Sequence, residues 1–241
     1  MVYRKGGTKT MKIHSFSDFC DALSDCGFSM GGGNAKGIYS VIPYGWEQQD
    51  NIDSPVKWHT GNPETDPWEW RMRVLEERKD IAYSKVFFRA SGFITKDWYE
   101  YFYAVRRRGY SFEEAYADGM INRNEKRIYE VILENGETAF HEVKQLCGFS
   151  GEESSKFEQA VIDLQMKMYI TICGRSRRIN RRGEAYGWNS TVFTTVEDFW
   201  QARGHDLKSV SPELAYNKIM EKVYSLNPNA KLKTADRFIR G

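Results

Sequence analysis

The sequence predicts an α+β protein, and three observations carry that expectation. Capped amphipathic segments at helical spacing are mixed with short β-prone runs, such as Ile81 to Phe88 and Tyr169 to Ile172. From Asn124 to Trp188, three helical segments lead into a β-prone run, then a basic segment, then a second β-prone run. That basic segment, Cys173-Gly-Arg-Ser-Arg-Arg-Ile-Asn-Arg-Arg182-Gly183, holds five arginines and no acid. The order is that of a winged helix-turn-helix: three helices, a strand, a basic wing and a returning strand. The expected layout is a mixed α/β N-terminal domain over 1–120, rich in Trp and Arg. A winged-helix domain over 121–193 follows, and C-terminal helices over 194–241 pack back on the rest.

The N-terminal elements follow from local rules. Ser15 to Asp25 reads as a short helix with Ser15 or Ser17 as cap, Phe16, Phe19 and Leu23 on one face, and Gly27 after it. The run Gly31 to Gly37 looks phosphate-friendly, but no Gly-Lys-Ser/Thr follows at Walker spacing, so it reads as a turn. Ile38 to Ile42 is a strand candidate ended by Pro43, and Gly45 to Pro67 is a long polar loop. Asp66-Pro67-Trp68-Glu69 states a helix start: Asp66 caps, Pro67 takes the first helical position, and Glu69 can reach back. Ile81 to Phe88 alternates as a strand. Thr95 caps a helix carrying Trp98, Phe102 and Val105 that ends in Arg106-Arg107-Arg108-Gly109, where cations suit the negative end of the dipole. Ser111 to Glu114 is a capping box, and Gly119 closes its helix. The domain boundary is expected at Asp118 to Asn124.

In the second half, Glu125 to Asn135 places Ile128, Val131 and Ile132 inward. A second helix starts at Thr138 and runs to Gly148. A third starts at Ser154 with Phe157, Ala160, Val161, Leu164 and Met168 as its stripe. Thr194 to Glu197 boxes a further helix, and Ser211-Pro212-Glu213 opens another that Asn227-Pro228 ends. The remainder, through Lys231, Lys233, Arg237 and Arg240, reads as a basic tail.

Composition excludes several classes. With 41% hydrophobic and 15% aromatic residues over 241 positions, real cores are expected. The formal charge of +2 balances 35 basic against 33 acidic side chains, so only local charge is informative. Cys20, Cys26, Cys147 and Cys173 lack any zinc spacing, and no metal or other cofactor is expected. No apolar run approaches the roughly 18 residues a membrane span needs. The first ten residues lack a signal-peptide core, and Met11 is an alternative start. A cytoplasmic protein with no membrane partner is expected.

The candidate contacts with nucleic acid are Arg175, Arg177, Arg178, Arg181 and Arg182 of the wing, with Arg106, Arg107 and Arg108. A guanidinium suits phosphate because its planar fork donates two parallel hydrogen bonds and stays charged. Lys156 and Gln159 face outward on the third helix, and Gln159 or Gln165 has the reach for a base edge. Glu152, Glu153, Glu158 and Asp163 work against phosphate there, which shifts weight to the wing. In the first domain, Trp46, Trp58, Trp68, Trp70, Trp98 and Tyr99 are interleaved with Arg71, Arg73, Lys85 and Arg89. Such residues build either a core or a base-stacking surface. Trp58 and Trp68, beside turns and prolines, are the base-stacking candidates. Of the four histidines only His59, in the long loop, suits catalysis, with Asp50 among the nearby carboxylates.

Glu64 to Arg71, Tyr83 to Phe88 and Gly92 to Tyr99, with Leu164 to Ile170 and Tyr186-Gly-Trp188, resemble the bacterial AlkZ-related family from about Ser15 to Trp200. The resemblance implies kinship with winged-helix DNA glycosylases, which remove alkylated or crosslinked bases. Those enzymes are longer and use a Gln-x-Gln or Gln-x-Asp motif to position water. Here the only literal match is Gln48-Gln49-Asp50, in a polar loop, and Gln165-Met-Lys167 does not fit. Three functions follow as expectations. One is a winged-helix protein binding duplex DNA through its wing. The alternative is a glycosylase-like repair enzyme using Gln48, Asp50 and His59, and a protein-interaction winged helix is the third reading.

Overall fold

The computed structural model describes residues 13–32, 36–42, 55–179 and 182–241. In chain order the elements are α1 (Phe16–Cys26), β1 (Phe28–Met30), α2 (Pro67–Glu77), β2 (Ile81–Phe87), β3 (Ala90–Thr95), α3 (Lys96–Arg107), α4 (Phe112–Ala117) and α5 (Arg123–Asn135). They continue with β4 (Thr138–Ala139), α6 (Phe140–Leu146), α7 (Ser154–Met166), β5 (Ile170–Ile179), β6 (Ala185–Thr195), α8 (Val196–Gln201), α9 (Pro212–Leu226) and α10 (Leu232–Arg240). The fold is α+β, with antiparallel strand pairing. Two compact units emerge, one being the chain to Arg108 with Lys208–Gly241, the other Gly109–Leu207.

The division departs from the expected boundaries at both ends. The first break falls at Arg108 and Gly109 because α4 is tied to the second unit: Phe112 stacks on Tyr129 at 3.8 Å and meets Tyr169 edge-on. The C-terminal helices do not stay together. α8 remains with the second unit, whereas α9 and α10 belong to the first.

In the first unit, β3 lies between β1 and β2, antiparallel to both. Local sequence does not announce β1, and β3 is signalled only by the short β-prone run Gly92 to Thr95. The turn joining β2 to β3 is Phe88–Arg89, with φ of 52° and 64°. A two-residue hairpin turn needs left-handed conformations, normally signalled by Asn-Gly, and here bulky residues adopt them. The expected strand Ile38–Ile42 is instead irregular: Met30 N–H bonds the Tyr39 carbonyl, and Val41 N–H bonds the Ser29 hydroxyl in place of a ladder. Its apolar residues are buried all the same. Thr95 sits at the α3 N-cap, but its hydroxyl donates to the Gly27 carbonyl rather than capping. Gly27 has φ of 83° and a Cβ there would collide with the Trp98 ring, so only glycine fits.

The segment expected as a basic tail is helical in α10. Its Ala235, Phe238 and Ile239 are fully buried, while Lys233 and Arg240 stay exposed. Phe238 stacks on Phe87 at 4.0 Å and also meets Phe28, Phe88 and Phe102. Full burial of such a ring stabilises by about 1.5–3 kcal/mol, which anchors the helix.

In the second unit, α5 begins with Asn122 as cap, its side chain accepting from Asn124 and Glu125 N–H while Glu125 accepts from Asn122 N–H. Glu125 is buried and paired with Lys167 at 2.6 Å. Thr138 does not open the second helix. It forms β4 with Ala139, paired to Phe193 and Val192 of β6, and α6 follows. β5 and β6 make a long antiparallel hairpin from Ile170/Thr195 to Ile179/Ala185, with shifts in register between Ile172 and Gly174 and between Ser176 and Arg178.

Candidate nucleic-acid interface and aromatic pocket

The first unit holds a pocket of about 230 Å³ lined by Met30, Gly31, Gly32, Trp58, Pro67, Trp68, Arg71, Tyr83, Ala90 and Ser91. Asp66 organises its outer wall. This fully buried carboxylate accepts N–H bonds from His59 (3.0 Å) and Trp68 (2.8 Å) on one oxygen, and from Gly61 (2.9 Å) on the other. One side chain thus caps α2 and ties down the loop that carries Trp58 and His59. Arg71, one turn into α2, lies over the Trp68 ring at 3.2 Å and donates from Nε to the Trp68 carbonyl at 2.8 Å. His59 packs on Trp68 at 4.7 Å between ring centroids. On the inner wall, Tyr83 donates to the Ser91 hydroxyl at 2.9 Å, and Gly31 N–H bonds the Ser91 carbonyl at 2.8 Å. A Cβ at Gly31 would collide with that carbonyl, so close strand approach explains this glycine of the run.

The aromatics of this unit therefore divide. Trp70 and Tyr99 are buried, Trp70 donating to the Pro63 carbonyl. Trp98 packs edge-on to Phe28. Trp68 is 41% exposed and Trp58 half-buried, both at the pocket. Trp46, Gln48 and Asp50 lie outside the described residues. Sequence reasoning does not foresee Met30, Tyr83 or Ser91 at the site, since β1 and the β2–β3 hairpin bring them there. The available signal is the second β-prone run, Gly92 to Thr95, close behind Phe87.

The β5–β6 hairpin of the second unit exposes Arg175 and Arg177, two residues apart on β5, and Arg182 after it. Arg177 donates to the Asn189 side chain across the hairpin at 3.4 Å. Neither strand contains an acidic residue. Arg178 pairs through its backbone with Tyr186, and Arg181 lies outside the described residues.

The other arginine run is largely internal. Arg106 donates to the carbonyls of Val86 (2.6 Å), Phe238 (2.9 Å) and Ile239 (3.0 Å), and burial pushes its pKa down from the ordinary arginine value. Arg107 is 7% exposed and lies over the Tyr103 ring. A guanidinium engaged this way is not available to phosphate, which corrects the expectation for these two. Arg108 alone of the three is exposed, at the left-handed C-cap of α3.

Lys156 and Gln159 are exposed on α7 and line a shallow polar cleft with Asn122, Arg123, Asn124 and Asp163. Gln159 donates to Asp163 at 3.3 Å. Gln165 is buried and donates to the Val161 carbonyl, so it belongs to the core. Glu153, before α7, is held below the usual carboxylate range by the Ser150 backbone N–H and then its hydroxyl. It stays ionised, and a phosphate approaching this end of α7 meets a fixed negative charge.

The thiols offer no ready nucleophile. Burial pushes Cys20 and Cys147 up to about 11 and Cys26 and Cys173 up to about 12. Among the described residues no group of three His, Cys, Asp or Glu could hold a metal ion, and no helix is long and apolar enough to cross a membrane.

The fold and these features define an α+β protein with an arginine-bearing hairpin on one unit and an aromatic pocket on the other. The chain belongs to the AlkZ-related family, whose model matches residues 13–240, nearly the whole length. No curated protein and no solved structure matched the chain.

Proposed function

We propose that the protein is a winged-helix nucleic-acid-binding protein that engages duplex DNA through the β5–β6 hairpin. The observation that carries this reading is the exposure of Arg175, Arg177 and Arg182 on a hairpin whose strands hold no acid. The order α5-β4-α6-α7-β5-β6, with β4 beside β6, supports reading the hairpin as a wing. Arg178 and Arg181 act with these three by their position in the same segment. Lys156 and Gln159 are secondary contacts, because Glu153 and Asp163 oppose phosphate on that face. Arg108, exposed on the first unit, is a candidate phosphate contact considered by itself. Binding of this kind rests on the backbone and carries little sequence information. A cytoplasmic setting goes with this role.

The test is duplex affinity as a function of salt for the full chain and for the triple variant Arg175→Ala, Arg177→Ala, Arg182→Ala. Log affinity against log salt should flatten by about 0.9 for each phosphate that is no longer neutralised. A triple variant with the wild-type affinity and slope would overturn the wing assignment. Absence of any duplex binding would favour a protein-interaction winged helix.

A second reading is a glycosylase-like repair enzyme. Membership of the AlkZ-related family and the aromatic pocket beside His59 favour it. In that reading Gln48 and Asp50 position the water that attacks the glycosidic carbon, with His59 assisting.

A further inference from the structure

We propose that the pocket lined by Trp58 and Trp68 receives a single nucleobase through an edge rich in hydrogen-bond acceptors, guanine being the best fit. The inference rests on the nucleic-acid reading only for the source of the base. The pocket's own chemistry asks for a flat ring that accepts hydrogen bonds.

Size points the same way. About 230 Å³ is below the roughly 300–1,000 Å³ of drug-sized sites, and suits one fused ring rather than a run of nucleotides. The walls add to this. Trp58, Trp68, Tyr83, Met30 and Pro67 present flat or apolar surface, which a stacked base uses and a bare phosphate does not. The lining also supplies hydrogen-bond donors, Arg71 and Trp58 among them. Arg71 uses Nε on the Trp68 carbonyl, and among the described residues its Nη groups meet no acceptor. Trp58 Nε1 is a buried donor, again with no acceptor among the described residues. A buried donor left without an acceptor is unfavourable, so an incoming acceptor is favoured. The Arg71 plane is already fixed by its 3.2 Å stack on Trp68 and the 2.8 Å bond below it. A fixed guanidinium fork matches O6 and N7 of guanine, two acceptors on one edge. Adenine offers a donor beside its N7 and fits less well.

The experiment uses the full chain and two single strands of twelve thymines, one with a central guanine and one with an abasic site there. Binding is followed by anisotropy, and free guanosine is titrated against tryptophan fluorescence. The guanine strand should bind roughly tenfold tighter than the abasic one, in line with stacking of one base. Trp68→Ala and Arg71→Gln should each abolish the difference. Arg71 is only half-buried on α2, so its variant keeps the test valid even where Trp68→Ala unfolds. The hairpin triple variant should bind duplex more weakly yet keep the guanine preference, which separates this proposal from the wing. Equal binding of the two strands by the wild type would overturn it. So would displacement of the strand by inorganic phosphate with no quenching by guanosine, the behaviour of a simple anion site.

Discussion

Removing the Asp66 carboxylate should be the most damaging single change near the pocket. Asp66→Ala leaves three N–H groups without their acceptor, those of His59, Gly61 and Trp68. The Trp68 bond is the helix cap, and removing a cap of this kind costs about 1 kcal/mol. Hydrogen bonds to a charged acceptor contribute about 1.5–3 kcal/mol each. His59 and Gly61 are exposed, so their amides regain water and the lower end applies. The sum is roughly 4 kcal/mol, enough to lower the melting temperature by about 8–16 °C in a protein of this size. Asp66→Asn can keep the oxygen that serves His59 and Trp68 but turns an NH₂ toward the Gly61 N–H, so about half that destabilisation is expected. Urea unfolding followed by tryptophan fluorescence measures both. The same variants should weaken any ligand of the pocket, since the Trp58 loop is no longer tethered. An Asp66→Ala protein within about 0.5 kcal/mol of wild type, the range of ordinary surface changes, would overturn the tethering role of Asp66.

Arg106→Met should destabilise the first unit by roughly 3 kcal/mol, because the Val86, Phe238 and Ile239 carbonyls are each left without this donor. Its salt dependence of duplex binding should match wild type, and a flattened slope would restore Arg106 to the interface. For the glycosylase reading, release of free base from alkylated DNA should vanish in Asp50→Asn. Failure of the wild type to release base from any damaged duplex would remove that reading.

Much of the helical framework is legible from neighbours in the chain. Ser15, Asp66, Ser111 and Ser211 each stand immediately before a helix, and Gly27 and Gly136 stand just after one. The Ser15, Asp66 and Ser111 side chains each accept from an N–H two or three residues on, so local sequence carries these caps, whereas Ser211 makes no such bond. The pocket is legible only in part. Trp58 and Trp68 stand out because prolines and turns flank them, whereas Tyr83 and Ser91 reach the pocket through a hairpin whose turn, Phe88–Arg89, has no turn-forming composition.

The sequence alone establishes the α+β content, the caps at Ser15, Asp66 and Ser111, and the concentration of arginine after β5 begins. Tertiary structure decided which charges are free to meet a partner. Arg106 and Arg177 look alike in the sequence, yet one is engaged by the carbonyls of a helix more than 130 positions away and the other stands exposed on a hairpin. The same holds for the last turn of the chain, where a segment that reads as a basic tail carries Phe238 into an aromatic core. Burial is a property of distant partners brought together, and no local pattern encodes which side of an amphipathic segment will find them.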